Sequence, residues 1–276
     1  MGRGIRELEE KAGLLRRDVI EMTTEAGSGH PGGSLSSADL LAALYFEVMR
    51  HDPSDPGWDG RDRFVMSKGH AAPALYAALA ESGYFPREEL LTLRKLGSRL
   101  QGHPVRGKTP GVEMSTGSLG QGLSMACGIA LAAKLDGKDH RTFCLLGDGE
   151  LQSGQNWEAA MFARHHRLSR LTAFVDRNRL QINGLTEDNM SLDPLPEKWR
   201  AFGWNVIIID GHDMAQILEA CRKSGLSERN PTVVIMHTVK GRGVSFMENN
   251  PEYHGKVCKP GEEAESALAE LGRRRI

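Results

Sequence analysis

Gly147-Asp148-Gly149 closes the apolar run Phe143-Cys144-Leu145-Leu146, and Asn178 stands just beyond a second run, Leu171 to Val175. If both runs are strands joined by a helical crossover, a carboxylate and a carboxamide emerge at the same ends of two strands. Such a pair suits a magnesium diphosphate. Mg²⁺ takes roughly six oxygens at about 2.1 Å, and an Asp, an Asn, a backbone carbonyl, a water and two phosphate oxygens can supply them. Gly149 leaves bare backbone where the diphosphate would lie, and a helix opening near Gln152 would aim free N–H groups at it. A Gly-Asp-Gly tripeptide alone is more often an ordinary strand-to-helix turn. The paired Asn178 favours the anion site.

Four histidines sit beside glycines in segments that read as loops: His30 in Gly29-His30-Pro31-Gly32-Gly33, His70 in Lys68-Gly69-His70, His103 in Gly102-His103-Pro104 and His254 in Tyr253-His254-Gly255. Singly, each reads as a hydrogen-bonded loop histidine. Four in the same setting point to chemistry, because imidazoles hold hydroxyls and phosphates and move protons near neutral pH. A polyhydroxylated anionic substrate, reacting at a sugar carbonyl, fits that set. A further segment, Ser115-Thr116-Gly117-Ser118-Leu119-Gly120-Gln121-Gly122, opens onto a predicted helix. It is either a plain capping loop or a place where bare backbone at Gly117 and the apolar Leu119 receive a flat heterocycle. No Gly-x-Gly-x-x-Gly joins a first strand to its helix and no Gly-Lys-Ser/Thr occurs, which excludes the dinucleotide fingerprint and the Walker loop.

The elements that must position these groups alternate between strand-length apolar runs and segments of helical period, the pattern of a parallel β-sheet flanked by helices on both faces, an α/β fold. Helices are expected at Ile5 to Thr24, Ala38 to Met49, Ala72 to Ser82, Arg87 to Leu96, Gln121 to Leu135, Gln152 to His166, Glu197 to Phe202, Met214 to Lys223 and Glu262 to Leu271. The second has Ser36 and Asp39 spaced as a capping box. Strands are expected at Arg63 to Ser67, Thr142 to Leu146, Thr172 to Asp176, Asn205 to Ile209 and Thr232 to His237, with a tight turn at Asn183-Gly184. Gly241 to Pro260, which carries His254, is polar and irregular, and a loop of that length is more often functional than idle.

The 276 residues fit a single compact domain at the upper end of the usual size range. Thirty-five basic against 36 acidic residues leave a formal net charge of −1, with no basic concentration to attract nucleic acid or a membrane. Cys127, Cys144, Cys221 and Cys258 form no Cys-x-x-Cys pair, which argues against structural zinc and a disulfide framework. The start, Met1 to Glu10, is charged, and no apolar run reaches the roughly 20 residues that span a bilayer. The expected setting is cytoplasmic, with reduced thiols.

Taken together, Ser28-Gly29-His30-Pro31-Gly32, Ser67-Lys68-Gly69-His70-Ala71, Gly102-His103-Pro104, Thr116 to Gly122, Gly147-Asp148-Gly149 and Asp176-Arg177-Asn178 resemble the thiamine-diphosphate-binding part of transketolase, in the family's order and across nearly the whole chain. The resemblance implies that residues 1–276 form one cofactor- and metal-binding domain. It implies Asp148, Asn178 and the Leu180 carbonyl as ligands of Mg²⁺ or Ca²⁺, and Gly149 against the diphosphate. His70 and His254 would contact the cofactor, Gly117 and Leu119 would line its aminopyrimidine, and Glu158 would belong to the cofactor-binding set. His30, His70, His103 and His254 would surround the sugar, with His30 and His254 moving protons on its hydroxyls.

The reaction so implied is transfer of a two-carbon ketol unit from a ketose phosphate to an aldose phosphate, as in the pentose phosphate pathway, with thiamine supplying the difficult step. The family's usual chain continues into a pyrimidine-binding and a C-terminal domain. The expectation is therefore a split enzyme, completed by a C-terminal subunit carrying the pyrimidine-binding domain in an α₂β₂ heterotetramer. Ser153 departs from the glutamate common at that position, a member of a carboxylate network between active sites, and Ser118 stands where some members have proline. The alternatives are half of a deoxyxylulose-phosphate synthase, a ketol transferase for a modified sugar, or a non-catalytic regulatory subunit that keeps the thiamine site. Arg63 to His70 and the His103 segment favour transketolase over the synthase.

Overall fold

The computed structural model describes residues 3–272; the outer ends of the domain read as 1–276, including Met1, lie outside them. Helix α1 (Ile5–Ala26) buries Leu8, Ala12, Leu15 and Val19, one stripe at helical spacing, and ends at Gly27, whose left-handed φ of 58° lets its N–H reach Thr24 O. Then come α2 (Pro31–Leu35), α3 (Ala38–Ala43) with a π-helical turn at Leu44–Val48, β1 (Arg63–Met66) and α4 (Ala72–Glu81). The middle of the chain forms α5 (Gln121–Leu135), β2 (Thr142–Gly147), α6 (Gln155–His165) and β3 (Leu171–Arg177). A small hairpin, β4 (Leu180–Gln181) and β5 (Gly184–Leu185), turns at Ile182-Asn183, one residue before the expected Asn183-Gly184, and leads to α7 (Thr186–Asn189) and α8 (Leu195–Ala201). The last elements are β6 (Asn205–Asp210), α9 (Met214–Gly225), β7 (Thr232–His237) and α10 (Glu262–Glu270).

The main sheet has the order β1-β2-β3-β7-β6 and is parallel throughout. Successive strand residues face opposite sides. Phe64, Phe143, Leu145, Phe174 and Met236 join the core under α1, α3, α4 and α9, while Cys144, Leu146, Ala173, Val175 and Ile235 pack under α5, α6 and α8. The crossovers that feed β3 and β7 therefore cover opposite faces, and a crevice opens beyond the carboxyl ends of these neighbours, where open α/β sheets receive their ligands. All four cysteines are free and buried, and no helix among the described residues is long and apolar enough to cross a membrane.

Three local expectations are corrected. Ser36 and Asp39 form no capping box: Ser36 Oγ donates to Gly33 O and Asp176 Oδ2, and Asp39 pairs with Arg16 and His212. Both positions are buried, so long-range partners replace the local cap. The predicted helix from Arg87 is a 3₁₀ segment, Arg87–Thr92, that stops where Arg94 turns to a φ of 61°. The helix expected from Gln152 begins at Gln155, because Ser153 is extended; before it, Gly149–Gln152 is a 3₁₀ turn. The helix N-terminus thus stands further from Gly149 than the sequence suggested. Conversely, α2 forms inside a segment read as loop, with Pro31 at its first turn.

Candidate active site

Gly147 and Asp176 are register partners, which brings the residues following β2 and β3 side by side. Asp148 Oδ1 accepts from Gly149 N at 2.7 Å and Oδ2 from Arg179 N at 2.6 Å. Burial, with Asp176 close by, pushes its carboxyl up to about 6. Asn178 Oδ1 accepts from Leu180 N at 3.0 Å, and Leu180 O accepts from Lys240 Nζ at 3.1 Å. Asp148, Gly149, Asn178 and Leu180 line one cleft of about 280 Å³, together with His70, Leu119 and His254.

The donor set fits a hard divalent cation. One carboxylate, one carboxamide and one backbone carbonyl are oxygen ligands of the kind Mg²⁺ and Ca²⁺ take, and the carbonyl already holds a cation, the Lys240 ammonium. Among the described residues no group of three His, Cys, Asp or Glu could hold a metal, so a cation here would rely on the single Asp148 carboxylate together with amide, carbonyl and bound-anion oxygens. The cleft also fits an anion: Lys68 and Lys240 line it, and burial with the nearby Lys68 lowers Lys240 to about 8.

Loops far apart in sequence bring the four histidines into one cluster. His30 lies 5.4 Å from His70, 5.4 Å from His254 and 6.5 Å from His103, and His70 lies 5.1 Å from His254, between ring centroids. The long 241–260 loop delivers His254 by packing onto α2. A Cβ at Gly32 would lie 2.7 Å from Tyr253 O, and Gly241 N donates to Gly32 O. Gly117, with a φ of 140°, passes the His103 ring where a Cβ would lie 2.8 Å from it. Tyr76 Oη donates to the carbonyls of Gln101 and His103, fixing the His103 backbone.

Burial and neighbouring cations keep the cluster neutral. Burial, then Arg94, His103 and Lys240, hold His30 down to about 4; burial and then Lys240 hold His254 down to about 3. His70 is lowered by burial and Lys68, and His103 by burial and Arg94. Neutral imidazoles accept protons and hydroxyl hydrogens across the physiological range. His30 Nδ1 is buried without a hydrogen-bond partner among the described residues, an open acceptor or donor within the cluster.

Two buried charged groups at the cleft have no role in the ligand set that the sequence implies. Lys68 pairs with Asp176 and donates to Gly33 O at 2.8 Å, while Asp176 also accepts from Ser36 and Thr238. One ion pair thereby joins α2 and the ends of β1, β3 and β7. Glu150 accepts from Ser67 Oγ, from Gly120 N at 2.9 Å and from Gly147 N at 3.0 Å, joining three glycine-bearing loops. Their signal in the sequence is a charged residue inside or directly beside each motif: Lys68, Asp176 and Glu150. Glu158 is exposed on α6 and is not brought to the cleft, and Ser153 packs against Gly120.

Residues 9–273 match the family described as transketolase, thiamine diphosphate binding domain. The chain is 47% identical over 265 residues to a 6-deoxy-6-sulfo-D-fructose transketolase subunit of a Clostridium species, covering 96% of each protein. It is 45% identical over 269 residues to an apulose-4-phosphate transketolase subunit of Actinobacillus succinogenes, again covering 96% of each. Transketolase from Campylobacter jejuni superposes with a TM-score of 0.91 at 35% identity over 98% of this chain, which spans 43% of that longer protein.

Proposed function

Because the chain belongs to the family of transketolase thiamine-diphosphate-binding domains, we propose that it is the cofactor-binding subunit of a two-chain enzyme that transfers a two-carbon ketol unit from an anionic ketose to an aldose. The observation that carries this reading is the convergence of four neutral histidines beside a cleft floored by Asp148, Gly149 and Asn178. Thiamine diphosphate, when bound, supplies the reactive carbon and the means of holding charge as a carbon–carbon bond breaks.

The chain's own residues bind, orient and move protons. Asp148, Asn178 and the Leu180 carbonyl hold Mg²⁺ or Ca²⁺, and Gly149 faces the diphosphate. His70 and His254 contact the cofactor, and Gly117 and Leu119 flank its pyrimidine. Lys240 donates to His254 Nδ1, so the remaining ring proton lies on Nε2. His30, neutral and with a free buried nitrogen, accepts a proton from a donor hydroxyl as the bond breaks and returns it to the acceptor oxygen.

The partner is a second polypeptide carrying the pyrimidine-binding domain. The Clostridium and Actinobacillus relatives, each matched over nearly its full length, are both named as transketolase subunits, which supports this. An α₂β₂ assembly is the arrangement in which each cofactor sits between chains. The test is purification with the polypeptide that accompanies this chain, followed by turnover with thiamine diphosphate and Mg²⁺. Activity of the chain alone equal to that of the pair would defeat the proposal.

A second reading concerns the sugar. The same two relatives are named for 6-deoxy-6-sulfo-D-fructose and for apulose 4-phosphate, which favours a modified ketose as donor. Assaying xylulose 5-phosphate, 6-deoxy-6-sulfofructose and apulose 4-phosphate side by side, with ribose 5-phosphate and glyceraldehyde 3-phosphate as acceptors, separates the two by kcat/KM.

A further inference from the structure

Arg94 is a non-glycine residue held in left-handed backbone, at a φ of 61°. Its N–H donates to Leu100 O at 2.9 Å, closing the turn, and its guanidinium reaches across to Ser28 Oγ, also at 2.9 Å. Gly102 lies against that guanidinium, since a Cβ there would be 3.0 Å from Cζ. Ser28 stands two residues before His30 and Gly102 stands directly before His103, so one side chain touches both loops that deliver these rings. Unfavourable backbone persists where its surroundings over-determine it, and such residues gather at functional sites.

We propose that Arg94 is a positioning residue that ties the loop ending in His30 to the loop ending in His103, setting how the two rings sit in the histidine cluster. The role rests on the reading of those rings as substrate-facing groups. The groups facing His30 are Arg94, His103 and Lys240, with the rings of His70 and His254; those facing His103 are Arg94 and His30. For both rings burial opposes the charged form, and Arg94 is the foremost neighbouring charge that adds to it. A guanidinium stays charged across the working range, so the effect does not fade with pH. Arg94 thereby helps keep both imidazoles able to accept protons.

The test is a ¹⁵N NMR titration of the histidine rings in the full chain, with resonances assigned through His30→Asn and His103→Asn. Wild type is compared with Arg94→Gly, Arg94→Gln and Arg94→Lys. Glycine adopts left-handed backbone freely, so Arg94→Gly removes the guanidinium without disturbing the turn. The expected result is an upward shift of both midpoints in Arg94→Gly and Arg94→Gln, and a smaller one in Arg94→Lys, which keeps a cation. In the reconstituted enzyme the acid limb of kcat/KM should move up with them while KM for thiamine diphosphate stays put. The ring titration needs no turnover, so it stands apart from whether ketol transfer is the reaction. Unmoved midpoints in Arg94→Gly, or in Arg94→Gln should the glycine variant not fold, would overturn the proposal.

Discussion

Lys240 Nζ donates to His254 Nδ1 at 2.8 Å and to the carbonyl oxygen of Leu180 at 3.1 Å, joining the histidine cluster to the proposed metal ligands through one buried ammonium. Its removal would free the His254 tautomer and leave the Leu180 carbonyl without its cation. Groups that orient ligands in this way typically cost about 10- to 100-fold when lost. Lys240→Met is expected to raise the KM for thiamine diphosphate and lower turnover by amounts of that order. Steady-state kinetics of the reconstituted enzyme at varied cofactor checks it, and an unchanged KM would contradict it.

Asp148 is the one carboxylate proposed as a metal ligand. Asp148→Ala removes a buried group that burial already disfavours as an anion, so the chain should stay folded while losing its cation. Wild-type chain should show a rise in melting temperature on adding thiamine diphosphate with Mg²⁺, abolished by EDTA and restored by Mg²⁺ or Ca²⁺. Asp148→Ala should show none. A full shift in this variant would remove Asp148 from the ligand set.

The 241–260 loop depends on Gly32. A methyl group there would press on Tyr253 O and on Lys240, 2.7 and 3.2 Å from the new Cβ. Gly32→Ala is expected to cost about 1–3 kcal/mol by overpacking and to loosen the placement of His254. Urea denaturation and hydrogen exchange across 241–260 measure the two effects, and native protection in that loop would contradict the second.

The histidine cluster makes stability depend on pH. An ordinary histidine titrates near 6.5, whereas His30 is held to about 4 and His254 to about 3 in the folded chain. Below pH 6.5 these two rings therefore bind more protons in the unfolded chain than in the folded one, and their contribution to stability falls as pH drops toward 4, while Asp148, raised to about 6, works in the opposite sense. His30→Asn should flatten this dependence. The difference in urea midpoint between wild type and His30→Asn, measured from pH 7.5 to 4.5, tests the sign: a difference that shifts in favour of wild type on acidification would show that the His30 ring is charged in the folded state.

Much of this site was legible because its residues sit in short, contiguous motifs. The Gly-Asp-Gly turn and Asn178 lay beyond recognisable apolar runs, and the parallel register then set them side by side. The proximity of His30, His70 and His254 is not legible in periodicity, since it arises from separate loops, that of His254 more than 180 residues from the other two, meeting over bare glycine backbone. Local signals failed where burial intervened. Ser36 and Asp39 had the spacing of a cap but were recruited by Asp176, Arg16 and His212 across the fold. The helix expected from Gln152 started late because extended backbone at Ser153 interrupts it. Lys68, Glu150 and Asp176 escaped notice as structural hubs because a buried charge betrays itself only through its partners.

The most direct test of the account is carbon transfer by the chain reconstituted with its copurifying polypeptide, thiamine diphosphate and Mg²⁺, on the panel of ketose donors, with wild type beside His30→Ala. The account predicts an aldose lengthened by two carbons, formed only when both polypeptides are present and slowed roughly 100- to 10,000-fold by His30→Ala, the usual range for losing a general acid–base group. Equal turnover by this chain alone, or undiminished turnover in His30→Ala, would contradict it.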